Sequence, residues 1–296
     1  MEKLTGLIAA PHTPFDAHGE VNYPVIDQIA EHLIGQGVKG VYVLGTTGEG
    51  IHCSVAERKK IAERWVAASH GKLSITLHTG ALSIADSLEL SRHAETLDIF
   101  ATSVIGPCFF KPSSVDDLVE YCRLNAAAAP SKGFYYYHSG MSGLNLDMEQ
   151  FLIAAADKIP NLSGMKFNSS DMYEFQRCLR VNNGQFDIPF GVDEFLPAGL
   201  ACGAIGAVGS TYNYAAPLYH RLIDSFNQGN HQDVAACMDK VIAIIRVLVQ
   251  YGGVAAGKLV MQLHGIDVGD PRRPLRPMTA EQKQDALAKF RAAEFI

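Results

Sequence analysis

Eight times along this chain a short apolar or β-branched run, bounded by turn residues, gives way to a segment of helical period, and that alternation leaves few folds open. The runs are "GLIAAP" from Gly6, "GVYVLG" from Gly40, "LSITLHTG" from Leu73, "FATSVIGP" from Phe100, "GFYYYHS" from Gly133, "LSGMKFN" from Leu162, "DIPFGVD" from Asp187 and "AIGAVGST" from Ala204. Continuously apolar strands are buried on both faces, which requires a parallel sheet covered by helices. Eight units is the number that closes a (β/α)8 TIM barrel, with an open doubly wound sheet as the structural rival. Helix starts are legible too: Ser54 with Glu57 three residues on resembles a capping box before "RKKIAERWVAA", and Ser113 with Asp116 and Asp147 with Gln150 are looser versions. Beyond the eighth unit, "HQDVAACMDKVIAIIRVLVQYG", "GVAAGKLVMQLHG" and "TAEQKQDALAKFRAAEFI" read as additional C-terminal helices. Residues 1–229 are therefore expected to form the barrel and 230–296 a helical extension packed on it or meeting another subunit. "GDPRRPLRP" from Gly269 reads as a surface crossing before the last helix.

Bulk properties narrow the functional classes. A net charge of -6 with no cluster of lysines and arginines argues against nucleic acid and anionic membrane as partners, leaving small molecules. The six cysteines, Cys53, Cys108, Cys122, Cys178, Cys202 and Cys237, form no CxxC pair, and no histidines fall at zinc-ligand spacing, so reduced thiols that fill the core of a cytosolic protein are expected. The apolar run before Pro11 is too brief for a signal-peptide core, and no stretch approaches the roughly 20 apolar residues of a membrane span. A cytoplasmic location follows as an expectation.

In a barrel the C-terminal strand ends gather distant residues around one pocket, and the chemically active motifs fall there. "GMKFN" places Lys166 between Met165 and Phe167 in an apolar strand. Burying an unpaired ammonium costs several kcal/mol. Either the stem snorkels to water from a strand end, or desolvation by Met165, Phe167 and the barrel wall favours a neutral amine able to attack a carbonyl. "GTTGEG" at Gly45 to Gly50 directly follows a strand. Its glycines let backbone approach a ligand, and Thr46 and Thr47 add hydroxyl donors, which makes either a neutral carboxylate nest or a tight turn capping the next helix. "GQGVKG" from Gly35 matches G-x-G-x-x-G but leads into a strand, the wrong context for a dinucleotide. In "FYYYHSG", Tyr135 and Tyr137 share one strand face, and Tyr137 stands where a phenol could move a proton near Lys166, while His138 reads as a loop histidine bonded to backbone. "GVDE" puts Asp193 and Glu194 at a strand end, suited to accept from several hydroxyls or merely to cap a helix. "GSTYN" adds Ser210 and Thr211.

The ordered set "TPF" (Thr13 to Phe15), "GTTGEG", "FYYYH", "GMKF", "GVDE" and "GSTYN" resembles the class I aldolases of the family that includes the N-acetylneuraminate lyases and dihydrodipicolinate synthase, over nearly the whole chain. That resemblance implies a barrel with C-terminal helices, a homotetramer, and no metal or organic cofactor. Carried over motif by motif, it makes Lys166 the Schiff-base lysine and Tyr137 the proton-transfer phenol. Thr46 and Thr47 become holders of the substrate carboxylate, and Asn168, Gly191, Asp193, Glu194 and Ser210 contacts to the sugar-derived chain. The synthase branch carries an arginine shortly after the strand-five tyrosine; "HSGMSGLN" has none, which together with "GVDE" points to the lyase branch. Three differences stand out: "SGMSG" replaces a proline-bearing turn and is one residue shorter, Asn168 replaces a common Thr or Ser, and "PCFFKP" carries phenylalanines where some relatives place a relay tyrosine. The expected activity is reversible cleavage of N-acetylneuraminate to N-acetylmannosamine and pyruvate. The rivals are an aldolase for another 2-keto-3-deoxy sugar acid and a non-catalytic barrel that binds keto acids.

Overall fold

Seven of the eight apolar runs become strands, each buried on both faces as a helix-covered sheet demands. The computed structural model describes residues 3–295. Its strands are β1 (Gly6–Ala9), β2 (Gly40–Val43), β3 (Ser74–His78), β4 (Ala101–Ile105), β5 (Gly133–Ser139), β6 (Leu162–Asn168) and β7 (Gly206–Gly209). They pair in parallel in the order β6-β5-β4-β3-β2-β1-β7.

The run at residues 187–193 departs from expectation: it forms isolated bridges instead of a continuous strand. Pro189 supplies no N–H, so the ladder is interrupted there. The segment still closes the barrel. On one side Met165 N–H donates to the Asp187 carbonyl at 2.9 Å and Phe167 N–H to that of Pro189 at 3.0 Å. On the other, Phe190 N–H donates to the Gly206 carbonyl at 3.0 Å and Val208 N–H to that of Phe190 at 2.8 Å.

Eight helices cover the outside: α1 (Tyr23–Gly35), α2 (Val55–Ser69), α3 (Ile84–Glu95), α4 (Val115–Ala127), α5 (Met148–Ala156), α6 (Met172–Arg180), α7 (Leu196–Cys202) and α8 (Ala216–Asn227). The Ser54–Glu57 capping box forms, and Asp147 caps α5 by accepting from Gln150 N–H. The cap of α4 is one residue later than its sequence pattern indicates: Ser114 accepts from Asp117 N–H, while Ser113 donates its own hydroxyl to the Asp117 carboxylate. Helices α9 (His231–Gln250), α10 (Gly253–Leu263) and α11 (Ala280–Ala292) follow the barrel. No helix among the described residues is long and apolar enough to cross a membrane.

Side-chain alternation divides the core in two. Outward residues such as Phe134, Tyr136, Met165 and Phe167 join the large cluster beneath the helices, where Phe167, Phe175 and Phe190 stack in series at 5.1 Å centroid spacings. Inward residues Ile8, Tyr42, Ala101, Tyr135 and Val208 fill the barrel with Leu4. Its floor is fixed by Asp187, which accepts from the Tyr135 hydroxyl at 2.7 Å and from Leu4 N–H at 2.8 Å.

Candidate active site at the strand ends

Strand parity decides what surrounds the central lysine. Tyr137 pairs with Lys166 across β5 and β6, so the two side chains project inward from adjacent strands, one layer above Tyr135. Lys166 is only 6% exposed. Its Nζ lies 4.4 Å from the Tyr137 ring centroid and 4.7 Å from that of Tyr42, and no carboxylate among the described residues comes within ion-pair distance of it. Of the neighbours expected around the amine, Met165 and Phe167 face the helix layer, and it is the tyrosine rings of the barrel wall that lie against it.

The Tyr137 phenol is tuned by the same geometry. Burial pushes its pKa up, but the Lys166 ammonium, with hydrogen bonding from Thr46, Ser139 and Lys166 side chains, outweighs burial and brings it below the ordinary tyrosine value. Asn168, at the end of β6, donates from Nδ2 to the Ser139 hydroxyl at 3.3 Å. Lys166, Tyr137, Thr46, Ser139 and Asn168 thus form one hydrogen-bonded neighbourhood. Thr46 is exposed at the rim and reaches the Met141 sulfur at 3.7 Å, and Thr47 is half-buried beside it.

The two adjacent acids separate. A short turn of 3-10 helix over Asp193–Phe195 sends them in different directions. Asp193 is buried and accepts from Thr211 N–H at 2.9 Å and from the Thr211 hydroxyl at 2.6 Å. Its carboxylate fills the space where a side chain on Gly209 would stand: a Cβ there would come within 1.9 Å of Asp193 Oδ1. Burial raises the Asp193 pKa to about 6, aided by the Glu194 charge and opposed by the Thr211 donors and the Lys166 ammonium, so its field reaches the central amine. Glu194 is exposed and faces a separate shallow groove with Ile245, Arg246 and Val249 of α9. Gly191 lies against β6, its N–H donating to the Phe167 carbonyl at 2.7 Å, and half-buried Ser210 uses its carbonyl to accept from Asn213.

A largely apolar cavity of about 550 Å³ opens beside Tyr137 and Thr46 and runs toward His78, Tyr251, Val254 and Arg276. Tyr137 forms part of its wall and Lys166 does not. One wall thus comes from chain beyond α8, which the sequence did not reveal. His78 is neutral, because burial, with the Arg58 and Lys166 charges, holds its pKa near 3. Its Nε2 accepts from Ile105 N–H at 3.1 Å, placing the ring proton on Nδ1. Tyr42 was also missed: a strand tyrosine reads as core, and only the barrel's curvature brings its ring to Lys166 while its hydroxyl meets the Ser103 hydroxyl. His138, expected in a loop, lies in β5 one residue before its end, with its Nε2 at 3.6 Å from Glu174 of α6. Among the described residues no group of three or more His, Cys, Asp or Glu side chains is arranged to hold a metal ion.

A parallel β/α barrel with a buried lysine and a tuned phenol at adjoining strand ends defines the class of protein. Residues 3–293 match the Dihydrodipicolinate synthetase family, and the chain belongs to it. A solved N-acetylneuraminate lyase from Proteus mirabilis is 80% identical, with a TM-score of 0.99 and all of both chains covered. That from Aliivibrio salmonicida is 68% identical, with a TM-score of 0.99 over 100% of this chain and 99% of the other. The N-acetylneuraminate lyase of Mus musculus is 40% identical over 301 residues, covering 100% of this chain and 94% of the relative.

Proposed function

We propose that this chain is an aldolase that reversibly cleaves N-acetylneuraminate to N-acetylmannosamine and pyruvate through a Schiff base on Lys166. One observation carries the reading: the Lys166 amine stands 4.4 Å from the ring of a phenol whose acidity it enhances, inside a barrel mouth rimmed by Thr46. The names borne by relatives at 80% and 68% identity support this choice of substrate.

In the forward direction the neutral amine adds to the C2 ketone of the open-chain sugar acid; the carbinolamine hydroxyl then takes the Tyr137 phenol proton and leaves as water, which gives a protonated imine and the Tyr137 phenolate. Tyr137 as phenolate takes the C4 hydroxyl proton. The C3–C4 bond then breaks, its electrons pass to the iminium nitrogen, and N-acetylmannosamine leaves as the aldehyde. Protonation of the enamine at C3 and hydrolysis of the imine release pyruvate and restore the lysine.

Thr46 and Thr47 hold the carboxylate by neutral donors. The resemblance of motifs assigns Gly191, Asp193, Glu194 and Ser210, with Asn168, to the polyhydroxylated tail; for Glu194 this requires the exposed side chain to turn from the α9 groove toward the barrel mouth. Asp193 accepts from both Thr211 donors, so its contact with substrate uses its remaining acceptor capacity. The working form is a homotetramer, as the resemblance of its motifs implies; it acts in the cytoplasm, as the sequence leads us to expect, and the proposed chemistry needs no metal or organic cofactor.

Borohydride reduction in the presence of pyruvate tests the proposal. Lys166 should acquire a stable adduct located by peptide mapping, and Lys166→Ala should lose both adduct and turnover while keeping its thermal transition. An adduct on another lysine, or none, removes the Schiff-base assignment.

A further inference from the structure

The loop that bears Thr46 and Thr47 is folded around two residues in left-handed backbone conformations, Leu44 at φ 62° and Glu49 at φ 51°. Neither is glycine, so the surrounding structure must hold them there. The turn is also tight: a Cβ on Gly50 would come within 1.9 Å of the Leu44 carbonyl oxygen. Glu49 N–H donates back to the Thr46 carbonyl at 3.1 Å, and the Thr13 hydroxyl donates to the Gly48 carbonyl.

What fixes this loop comes from over 200 residues away. The Glu49 side chain is fully buried, and its Oε1 stands 3.2 Å from Lys258 Nζ of α10, itself 2% exposed. Its Oε2 accepts from Arg272 N–H at 2.8 Å and lies 3.4 Å from His52 Nδ1. Lys258 is satisfied on its other sides by the carbonyls of Thr13 at 2.8 Å and of Val268 and Asp270 at 3.3 Å, and stands 4.4 Å from the Phe15 ring centroid. The Arg272 guanidinium lies 4.4 Å from the same centroid, pairs with Glu57, and donates to the carbonyls of His52 at 3.0 Å and Gly19 at 2.8 Å. Burial pulls the Lys258 pKa down and the Glu49 charge works against it. None of these three side chains is needed for the bond-breaking steps.

We propose that Glu49, clamped between Lys258 and the Arg272 backbone, positions the Thr46–Thr47 loop, so that chain following the barrel sets the grip on the carboxylate of the keto-acid substrate. This rests on the aldolase reading above, in which those threonines meet the carboxylate. Removing the clamp should therefore weaken recognition of that group and leave the lysine's reactivity toward a simple ketone alone.

The experiment is borohydride trapping of the full-length protein, comparing pyruvate with acetone, which offers the same carbonyl without a carboxylate. Glu49→Gln alone leaves Lys258 buried without its counter-charge. The paired variant Glu49→Gln with Lys258→Met removes both charges together and serves where the single change does not fold. Thr13→Val is a third, charge-neutral perturbation of the same loop. The pyruvate concentration for half-maximal trapping should rise about tenfold in the paired variant and two- to fivefold in Thr13→Val, with the maximal trapping rate within about threefold and the acetone dependence unmoved. In turnover the same variants should raise KM for the sugar acid far more than they lower kcat. An unchanged pyruvate midpoint in a folded variant, or parallel weakening toward pyruvate and acetone, overturns the proposal while leaving the aldolase reading intact. Failure of the unmodified protein to form a Lys166 adduct overturns both.

Discussion

Lys166 and Asp193 are two buried titratable groups in neighbouring parts of the barrel mouth, and their surroundings differ. Lys166 has aromatic faces against it, which attract a cation, and the protonated imine of the proposed mechanism would be a cation at the same position. Asp193 has two Thr211 donors, yet burial still wins and its pKa rises from 3.8 to about 6. A folded pKa above the unfolded value means that the unfolded chain releases this proton first as pH increases. The stability associated with Asp193 is then fully present below about pH 3.8 and lost as pH climbs through about 6, by about 3 kcal/mol at one pKa unit per 1.36 kcal/mol. Asp193→Asn removes the titration while keeping one acceptor for Thr211. The variant should gain on the unmodified protein between pH 4 and pH 7 in urea midpoints converted to free energy. Two stability curves that run parallel over that range would show that Asp193 is not the titrating group.

Among the elements, residues 187–190 matter most because they close the barrel without a regular ladder. Phe190 holds that closure: it is fully buried, its amide and carbonyl bond to β7, and its ring stacks on Phe175. Phe190→Ala should cost about 3–5 kcal/mol in urea unfolding, the usual range for a buried aromatic truncation. Amide exchange should quicken first at Val208, which donates to the Phe190 carbonyl. Uniform acceleration across all strands would argue that the segment is no weaker than the rest. The alternation of strand and helix was legible because each unit carries its own periodicity and caps. The broken strand was not, since an apolar run containing Pro189 differs from a whole one only in a missing donor. The separation of Asp193 from Glu194 was hidden for a similar reason: adjacent residues in a strand or a tight helical turn diverge, and sequence does not say which turn follows. Lys166, Tyr137 and Thr46 could be singled out because each violates or ends an apolar strand. Arg272 could not, because "GDPRRPLRP" has no period and its partners Glu49 and Glu57 lie more than 200 residues earlier.

At the scale of the molecule, one surface is out of keeping with a solitary chain. Leu82, Phe109 and Phe110 are 75%, 79% and 86% exposed, and with Ile84 they surround a cavity of about 460 Å³ that shares His78, Ile105 and Cys108 with the cavity beside Tyr137. Phe109 and Phe110 meet edge to face at 5.0 Å between ring centroids, a paired aromatic feature on this surface. A contiguous apolar patch of this kind ordinarily marks an association surface, and a stable one removes about 800 Å² from each partner. In the proposed tetramer this is the surface expected to meet a second copy, which would set that contact beside the cavity at Tyr137. Phe109→Asp with Phe110→Asp would place two carboxylates where desolvation is required, at a cost of several kcal/mol per uncompensated charge. Sedimentation velocity should find the unmodified protein as a tetramer and the double variant as a smaller species with a raised KM and a retained Lys166 adduct. Sedimentation of the double variant as a tetramer would assign the subunit contacts to another face.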